Sequence, residues 1–363
     1  MFPARAKKRP NDMTTRQAAS PGLLERLDNG PVICAEGYLF ELERRGYIQA
    51  GAFVPAVVLD HPEKVAELHR EFVHAGSDVV EAFTYYGHRE KLRVIGKEDL
   101  LEPLNRNALQ IAAEVADESG SLLAGNICNT NIWEPDRKET HDAARAMFEE
   151  QVGWAVDAGA DMIIGETFCW TDEALTALEV IQAAGKPSVI MFALDAEGLH
   201  DGVDGATACK RIADAGADVV GLNCSRGPAT MMPVIREIRE AVSCHVGALP
   251  VPYRTTAGME TFQLLEDKDC NCLPETGSFP TALDTFVCNR YEMGEFARDA
   301  HAIGVNYLGI CCGAGPHHIR SMAEALGRQP PASKYSPDMS KHAYQGTDEN
   351  IPDYYKKLGE AYE

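Results

Sequence analysis

The sequence predicts a (β/α)8 barrel with a short C-terminal extension, and three observations carry that reading. Eight short apolar runs recur along the chain, stretches with helical spacing separate them, and glycine after a small or apolar residue closes several of those stretches. The runs are continuous rather than alternating, as expected of parallel strands buried on both faces. At 363 residues the chain exceeds the ~250 usual for such a barrel but stays within its range.

The first run is Pro31–Gly37 (PVICAEG), the second Ser77–Thr84 (SDVVEAFT), the third Ser121–Cys128 (SLLAGNIC) and the fourth Asp161–Phe168 (DMIIGETF). Lys186–Ala193 (KPSVIMFA), Ala217–Cys224 (ADVVGLNC), His245–Val251 (HVGALPV) and Val305–Cys312 (VNYLGICC) complete the set. Between the first and second runs, His61–Ala75 places Val65, Leu68, Phe72 and Val73 at i, i+3, i+7 and i+8, one face of a helix. Ala75-Gly76, Ala158-Gly159, Ala184-Gly185, Ala215-Gly216 and Ile303-Gly304 stand where helix C-caps belong, because glycine takes the left-handed conformation at little cost. An open doubly wound sheet is the alternative architecture, but no G-x-G-x-x-G follows the first run. Residues 1–20 read as a flexible N-terminal segment, 21–328 as the barrel and 329–363 as an extension. Thr255–Thr281 reads as a long, turn-rich loop after the seventh run. The extension opens QPPASKYSPD and ends in a short charged helix, Asp353–Tyr362, expected to pack on the barrel or against a second subunit of a homo-oligomer.

The charge balance narrows the partners. With 34 basic against 55 acidic residues the formal charge is −21, which repels nucleic acid and anionic membranes and says nothing against a small zwitterionic substrate. No apolar run approaches the ~18 residues of a membrane span. Met1–Ser20 is polar and basic (Arg5, Lys7, Lys8, Arg9, Arg16) without the apolar core of a secretory signal; an organellar transit peptide is the rival reading of it. Eleven cysteines without regular disulfide spacing point to reduced thiols in a cytoplasmic protein.

Barrel enzymes work at the C-terminal ends of their strands. There Cys224 closes the sixth run, and Cys311 and Cys312 close the eighth, followed by Gly313-Ala314-Gly315, which lets the chain turn sharply enough for adjacent cysteines to ligate together. Three thiols on one rim can converge on one tetrahedral metal; soft thiolates favour Zn2+, and three protein ligands leave a fourth position open, as in a catalytic site. Buried free cysteines are the bland alternative. A zinc ion held by three cysteines with an open position binds an incoming thiol as thiolate, ready to attack a methyl group. Hydrolysis by zinc-bound water is the other use, but no H-E-x-x-H occurs. Cys270-Asn271-Cys272 is a weak candidate for a second metal, and His317-His318 fit helix capping better than ligation.

The strings GLNCSR (Gly221–Arg226) and GICCGAGPHHIR (Gly309–Arg320) resemble the zinc motifs of the homocysteine S-methyltransferases. Further stretches, FELERRGYIQAG (Phe40–Gly51), FTYYGHREKL (Phe83–Leu92) and QPPAS (Gln329–Ser333) among them, are most similar to the betaine–homocysteine enzymes. The resemblance implies methyl transfer from a betaine-like onium donor to homocysteine, giving methionine, on a TIM barrel. It implies Cys224, Cys311 and Cys312 as zinc ligands, Asn223 beside them, Glu166 as partner of the homocysteine ammonium, and Tyr86 as a donor-site residue. Three positions depart from the family. Its Asp at the end of strand one is Ala35 here, with Glu36 next to it as the replacement carboxylate. A donor-site tyrosine is Thr167, and a donor-site tryptophan is Phe53. Tyr85 and Trp133 are further aromatic candidates for a remodelled donor pocket, with Trp170 beside them, since aromatic faces hold onium cations. The departures leave open a sulfonium donor (dimethylsulfoniopropionate or S-methylmethionine), another thiol acceptor, or a zinc-binding barrel without turnover.

Overall fold

The structure is a computed structural model that describes residue 16 and residues 18–49, 56–267 and 277–359. Eight parallel strands close into a barrel in chain order: β1 (Val32–Ala35), β2 (Val79–Glu81), β3 (Leu122–Cys128), β4 (Met162–Phe168), β5 (Ser188–Phe192), β6 (Val219–Asn223), β7 (His245–Leu249) and β8 (Tyr307–Ile310). β8 returns to β1 with Val32 opposite Tyr307 and Ala35 opposite Ile310, which rules out the open sheet. Each strand lies inside its predicted run, and the trimming is greatest at β2 and β8, whose last residues leave the ladder to line the site.

The helices follow the sequence pattern. The helix Pro62–Ala75 starts on a proline, whose missing N–H is an orphan there in any case, and ends at Gly76 with φ 117°. Val65, Leu68 and Phe72 are buried while Val73 is only partly so, and His69 joins the buried face. All five glycines read as C-caps take positive φ.

Strand residues alternate between two apolar shells. Val32, Cys34, Val79, Leu122, Ala124, Met162, Ile164, Val219 and Tyr307 fill the barrel interior, whereas Ile33, Ala35, Val80, Leu123, Ile163, Val220 and Leu308 pack outward against the helices. Full burial of such side chains is worth ~1.5–3 kcal/mol each, enough in sum to hold a strained rim. The helix Leu23–Asn29 plugs the N-terminal end of the barrel with Leu23 and Leu27. Just before it, the end of the segment expected to be flexible is tied down: Arg16 pairs with the buried Asp161 at 2.8 Å, and the Ala19 N–H donates to the same carboxylate. Residues 1–15 lie outside the described residues.

The extension runs through two short 3-10 turns, Pro331–Tyr335 and Met339–Lys341, to a helix Asp353–Gly359, and its first turn packs on the helix Pro62–Ala75. Tyr335, Met339 and Tyr354 on it are exposed. Among the described residues no helix is long and apolar enough to cross a membrane.

Candidate active site

Strand alternation carries straight into the site. With Val32 and Cys34 pointing inward on β1, the next inward position is Glu36; Val79 puts Glu81 inward on β2; Leu122 and Ala124 put Asn126 inward on β3; Met162 and Ile164 put Glu166 inward on β4. Asn223 and Cys311 hold the same inward register on β6 and just past β8. Ala35 faces the helices, which explains why Glu36, one residue on, carries the carboxylate at this rim.

These residues form one hydrogen-bond chain. Asn223 Nδ2 donates to Glu166 at 2.8 Å and to Glu36 at 3.1 Å; Asn126 Nδ2 donates to Glu166 and to Glu81, both at 2.6 Å. Asn223 also accepts the Thr167 N–H through Oδ1 at 3.0 Å. All three carboxylates are buried. Burial, less the help of Asn126, pushes Glu166 up to about 7. Burial and the neighbouring carboxylates push Glu36 and Glu81 well above the usual range.

Beside this chain stand the three cysteines, their sulfurs all within 4.8 Å of one another and those of Cys311 and Cys312 3.9 Å apart. Backbone bonds set them there: the Cys224 N–H donates to Leu249 and the Cys311 N–H to Pro250, extending the ladder one residue beyond β6 and β8. Cys224 (φ 58°) and Ser225 (φ 55°) then take successive left-handed conformations, and Thr167 does the same at φ 55°. Left-handed backbone costs ~1–3 kcal/mol per non-glycine residue and persists only where the surroundings impose it. At Thr167 they do: Asn129 Nδ2 donates to both its carbonyl and its hydroxyl at 2.9 Å. Thiol hydrogen bonds from Cys311 and Cys312 hold Cys224 well below the usual thiol range, and the same bonds push Cys311 and Cys312 up. The donor set fits a soft metal: sulfurs each ~2.3 Å from one tetrahedral ion stand ~3.8 Å apart. Among the described residues this trio of cysteines is the sulfur-only candidate cluster.

Glu36, Glu81, Asn126, Glu166, Thr167, Tyr85 and the three cysteines line one pocket, with Tyr38 and Phe83 on its wall. Glu81 and Asn126 were not singled out from the sequence. Tyr86 and Trp133 do not line this pocket. Tyr86 (φ 59°) packs on Tyr85 with ring centroids 4.1 Å apart, and the Lys91 ammonium covers its ring at 4.1 Å. Trp133 is buried and stacked on His141 at 4.0 Å. Trp170 meets His200 edge-on. Phe53, Cys270 and Cys272 lie outside the described residues. His318 caps its helix, accepting the Gly315 N–H through Nδ1 at 3.2 Å, with Nε2 2.9 Å from the Cys288 carbonyl.

A family model described as homocysteine S-methyltransferase matches residues 33–326. A betaine–homocysteine S-methyltransferase 1 of Xenopus tropicalis is 34% identical over 340 residues, covering 91% of this chain and 81% of its own. An S-methylmethionine–homocysteine S-methyltransferase of Mus musculus is also 34% identical, over 349 residues, 92% of this chain and 88% of its own. The metallated form of the Escherichia coli homocysteine methyltransferase MmuM shares the fold, with a TM-score of 0.63 at 18% identity over 82% of this chain and 97% of that one.

Proposed function

The chain belongs to the homocysteine S-methyltransferase family, and from that membership we propose that it moves a methyl group from a betaine-like onium donor to homocysteine, giving methionine, with zinc at Cys224, Cys311 and Cys312. The observation that carries the proposal is the convergence of three cysteine sulfurs within 4.8 Å beside a buried glutamate. Cys224, Cys311 and Cys312 would hold the zinc ion, which would supply an open position for the acceptor sulfur and favour its thiolate form at neutral pH.

The remaining work falls to the chain's own residues. Glu166 and Glu36 accept the homocysteine ammonium, and Asn223 keeps both carboxylates aimed. Tyr85, on the pocket wall, offers a ring face to the donor cation, worth ~0.5–2 kcal/mol once desolvated. Methyl transfer breaks the donor's C–N (or C–S) bond, forms a C–S bond to the acceptor, and leaves the electron pair on the departing amine or sulfide, so no general acid is needed. Holding the two reactants in line accounts for much of the acceleration. Equal identity to a betaine relative and an S-methylmethionine relative supports a sulfonium donor as the second reading. Nine free cysteines among the described residues support a reducing, cytoplasmic setting, and the exposed Tyr335, Met339 and Tyr354 of the extension support contact with a second subunit.

The test is methionine formation from homocysteine, read by mass spectrometry, with glycine betaine, dimethylsulfoniopropionate, S-methylmethionine and S-adenosylmethionine as donors and Cys311→Ala as control. Methionine from one onium donor, lost in the variant, supports the proposal and names the donor. No methionine from any donor with zinc fully bound refutes it.

A further inference from the structure

Among the described residues no Lys, Arg or His lines the pocket beside the cysteines. Glycine betaine, dimethylsulfoniopropionate and S-methylmethionine each carry a carboxylate as well as an onium centre, so such a donor needs a cation beyond that lining. The chain places one on the same rim, two residues past Cys224. The left-handed pair Cys224 and Ser225 folds the backbone back, and the Arg226 N–H donates to the Cys224 carbonyl at 2.6 Å. The Val251 and Phe262 N–H groups fix the Arg226 and Ser225 carbonyls at 3.0 and 2.9 Å. The half-buried Arg226 side chain reaches the loop after β5, where Nη2 donates to the Asp195 carbonyl at 2.8 Å, while Nε is buried without a partner. The acids that act on this guanidinium, Glu260 and Asp195, are engaged elsewhere. Glu260 accepts the Gly258 N–H at 2.7 Å; Asp195 accepts the Glu197 and Gly198 N–H groups at 2.9 Å and faces His200 at 3.3 Å. Burial accordingly holds Arg226 below its usual range. Arg44, on the same rim, is by contrast held by Glu41 at 3.5 Å, the Gly313 carbonyl at 3.4 Å and the Tyr253 hydroxyl at 3.3 Å. A buried N–H without an acceptor, on a cation without a close counterion, favours an incoming carboxylate.

We infer that Arg226 is a specificity-determining residue for the methyl donor: it takes the donor's carboxylate at the mouth of the pocket and selects zwitterionic onium donors over purely cationic ones. The inference rests on the proposed function, which brings an onium donor to this pocket. A cation held by an aromatic face alone is free to turn, whereas a donor held at both its charges keeps one orientation toward the acceptor sulfur.

The experiment is calorimetric titration of the zinc-loaded protein with glycine betaine and dimethylsulfoniopropionate, each beside its amide, in which a neutral carboxamide replaces the carboxylate. Methionine formation with the same compounds is read by mass spectrometry. In the unmodified protein at least one zwitterion is expected to bind about tenfold tighter than its amide, the scale of one charge-assisted hydrogen bond, and this comparison needs no variant to fold. Arg226→Gln keeps an N–H for the Asp195 carbonyl but loses the charge, and is expected to bring the two affinities together. Arg226→Lys restores part of the difference, while zinc content and homocysteine affinity stay unmoved in both variants. Amides binding as tightly as the zwitterions in the unmodified protein overturn the inference. So does a ratio that Arg226→Gln leaves unchanged, a loss of zinc or homocysteine binding in both variants, or a failure of both zwitterions to bind. Methionine formation separates the two claims. If methionine forms from a zwitterion and its amide equally well, the proposed function stands and this inference falls; if the affinity order holds but no methionine forms, the inference stands alone.

Discussion

Gly313 follows the paired cysteines at φ 93°, and a methyl group added there would press on the Tyr253 ring, 2.7 Å from Cζ, 2.9 Å from Cε2 and closer still to the hydroxyl. Tyr253 cannot give way easily. It is fully buried, stacked on Phe262 at 5.7 Å, and its hydroxyl accepts from Arg44 at 3.3 Å. Gly313→Ala therefore carries two costs: ~1–2 kcal/mol for a side chain in left-handed backbone, and ~1–3 kcal/mol for overpacking. Gly258→Ala separates them, because Gly258 has φ 87° with nothing within 4 Å of the added carbon. Denaturant unfolding is expected to show a loss of about 1–2 kcal/mol for Gly258→Ala and about 2–5 kcal/mol for Gly313→Ala. Because relief of the clash displaces Cys312, Gly313→Ala alone is expected to surrender zinc faster to a chelator. Equal losses in the two variants, with equal zinc retention, would refute the argument that this turn is what brings Cys312 beside Cys311.

Burial raises Glu166 to about 7 from 4.5, so the folded chain holds this proton more tightly than the unfolded chain. The stability it contributes is fully present below pH 4.5 and lost as the pH rises through 7, which amounts to about 3 kcal/mol. In the metal-free protein, Glu166→Gln is expected to flatten the fall in melting temperature between pH 5 and pH 8; an unchanged slope would mean that Glu166 is not buried as described. Tyr85 lines the pocket whereas Trp133 is stacked on His141. Steady-state kinetics should accordingly show Tyr85→Leu raising the donor KM about two- to thirtyfold, and Trp133→Leu lowering the melting temperature with donor KM unmoved. The Lys91 ammonium covers one face of Tyr86. Lys91→Met should leave donor KM unchanged or lower it; a rise would show that the lysine assists donor binding.

Much of the fold was legible because a closed parallel barrel writes itself as eight continuous apolar runs, and because glycines such as Gly76 punctuate the helix ends. The convergence of Cys224, Cys311 and Cys312 was legible because the C-terminal ends of the strands of such a barrel share one rim. Glu81 and Asn126 were missed for a physical reason. When both faces of a strand are buried, hydrophobicity no longer marks which residues point inward, and a lone polar residue in SDVVEAFT or SLLAGNIC reads as a blemish. The signal was parity: Val79 and Glu81 share a face, as do Leu122, Ala124 and Asn126, and counting by twos from the interior reaches the same layer as Glu36 and Glu166. Tyr86 and Trp133 show the converse. Their chemistry suited an onium donor, but the left-handed turn at Tyr86 and the partner ring of His141 are tertiary facts that spacing does not carry.

The central claim is that Cys224, Cys311 and Cys312 hold zinc and leave one position for the acceptor sulfur. X-ray absorption at the zinc edge, on the loaded protein with and without homocysteine, tests it most directly. The account predicts three sulfur ligands at ~2.3 Å with one lighter atom, becoming four sulfurs when homocysteine is added. A ligand shell unchanged by homocysteine, or one with fewer than three sulfurs, would contradict it.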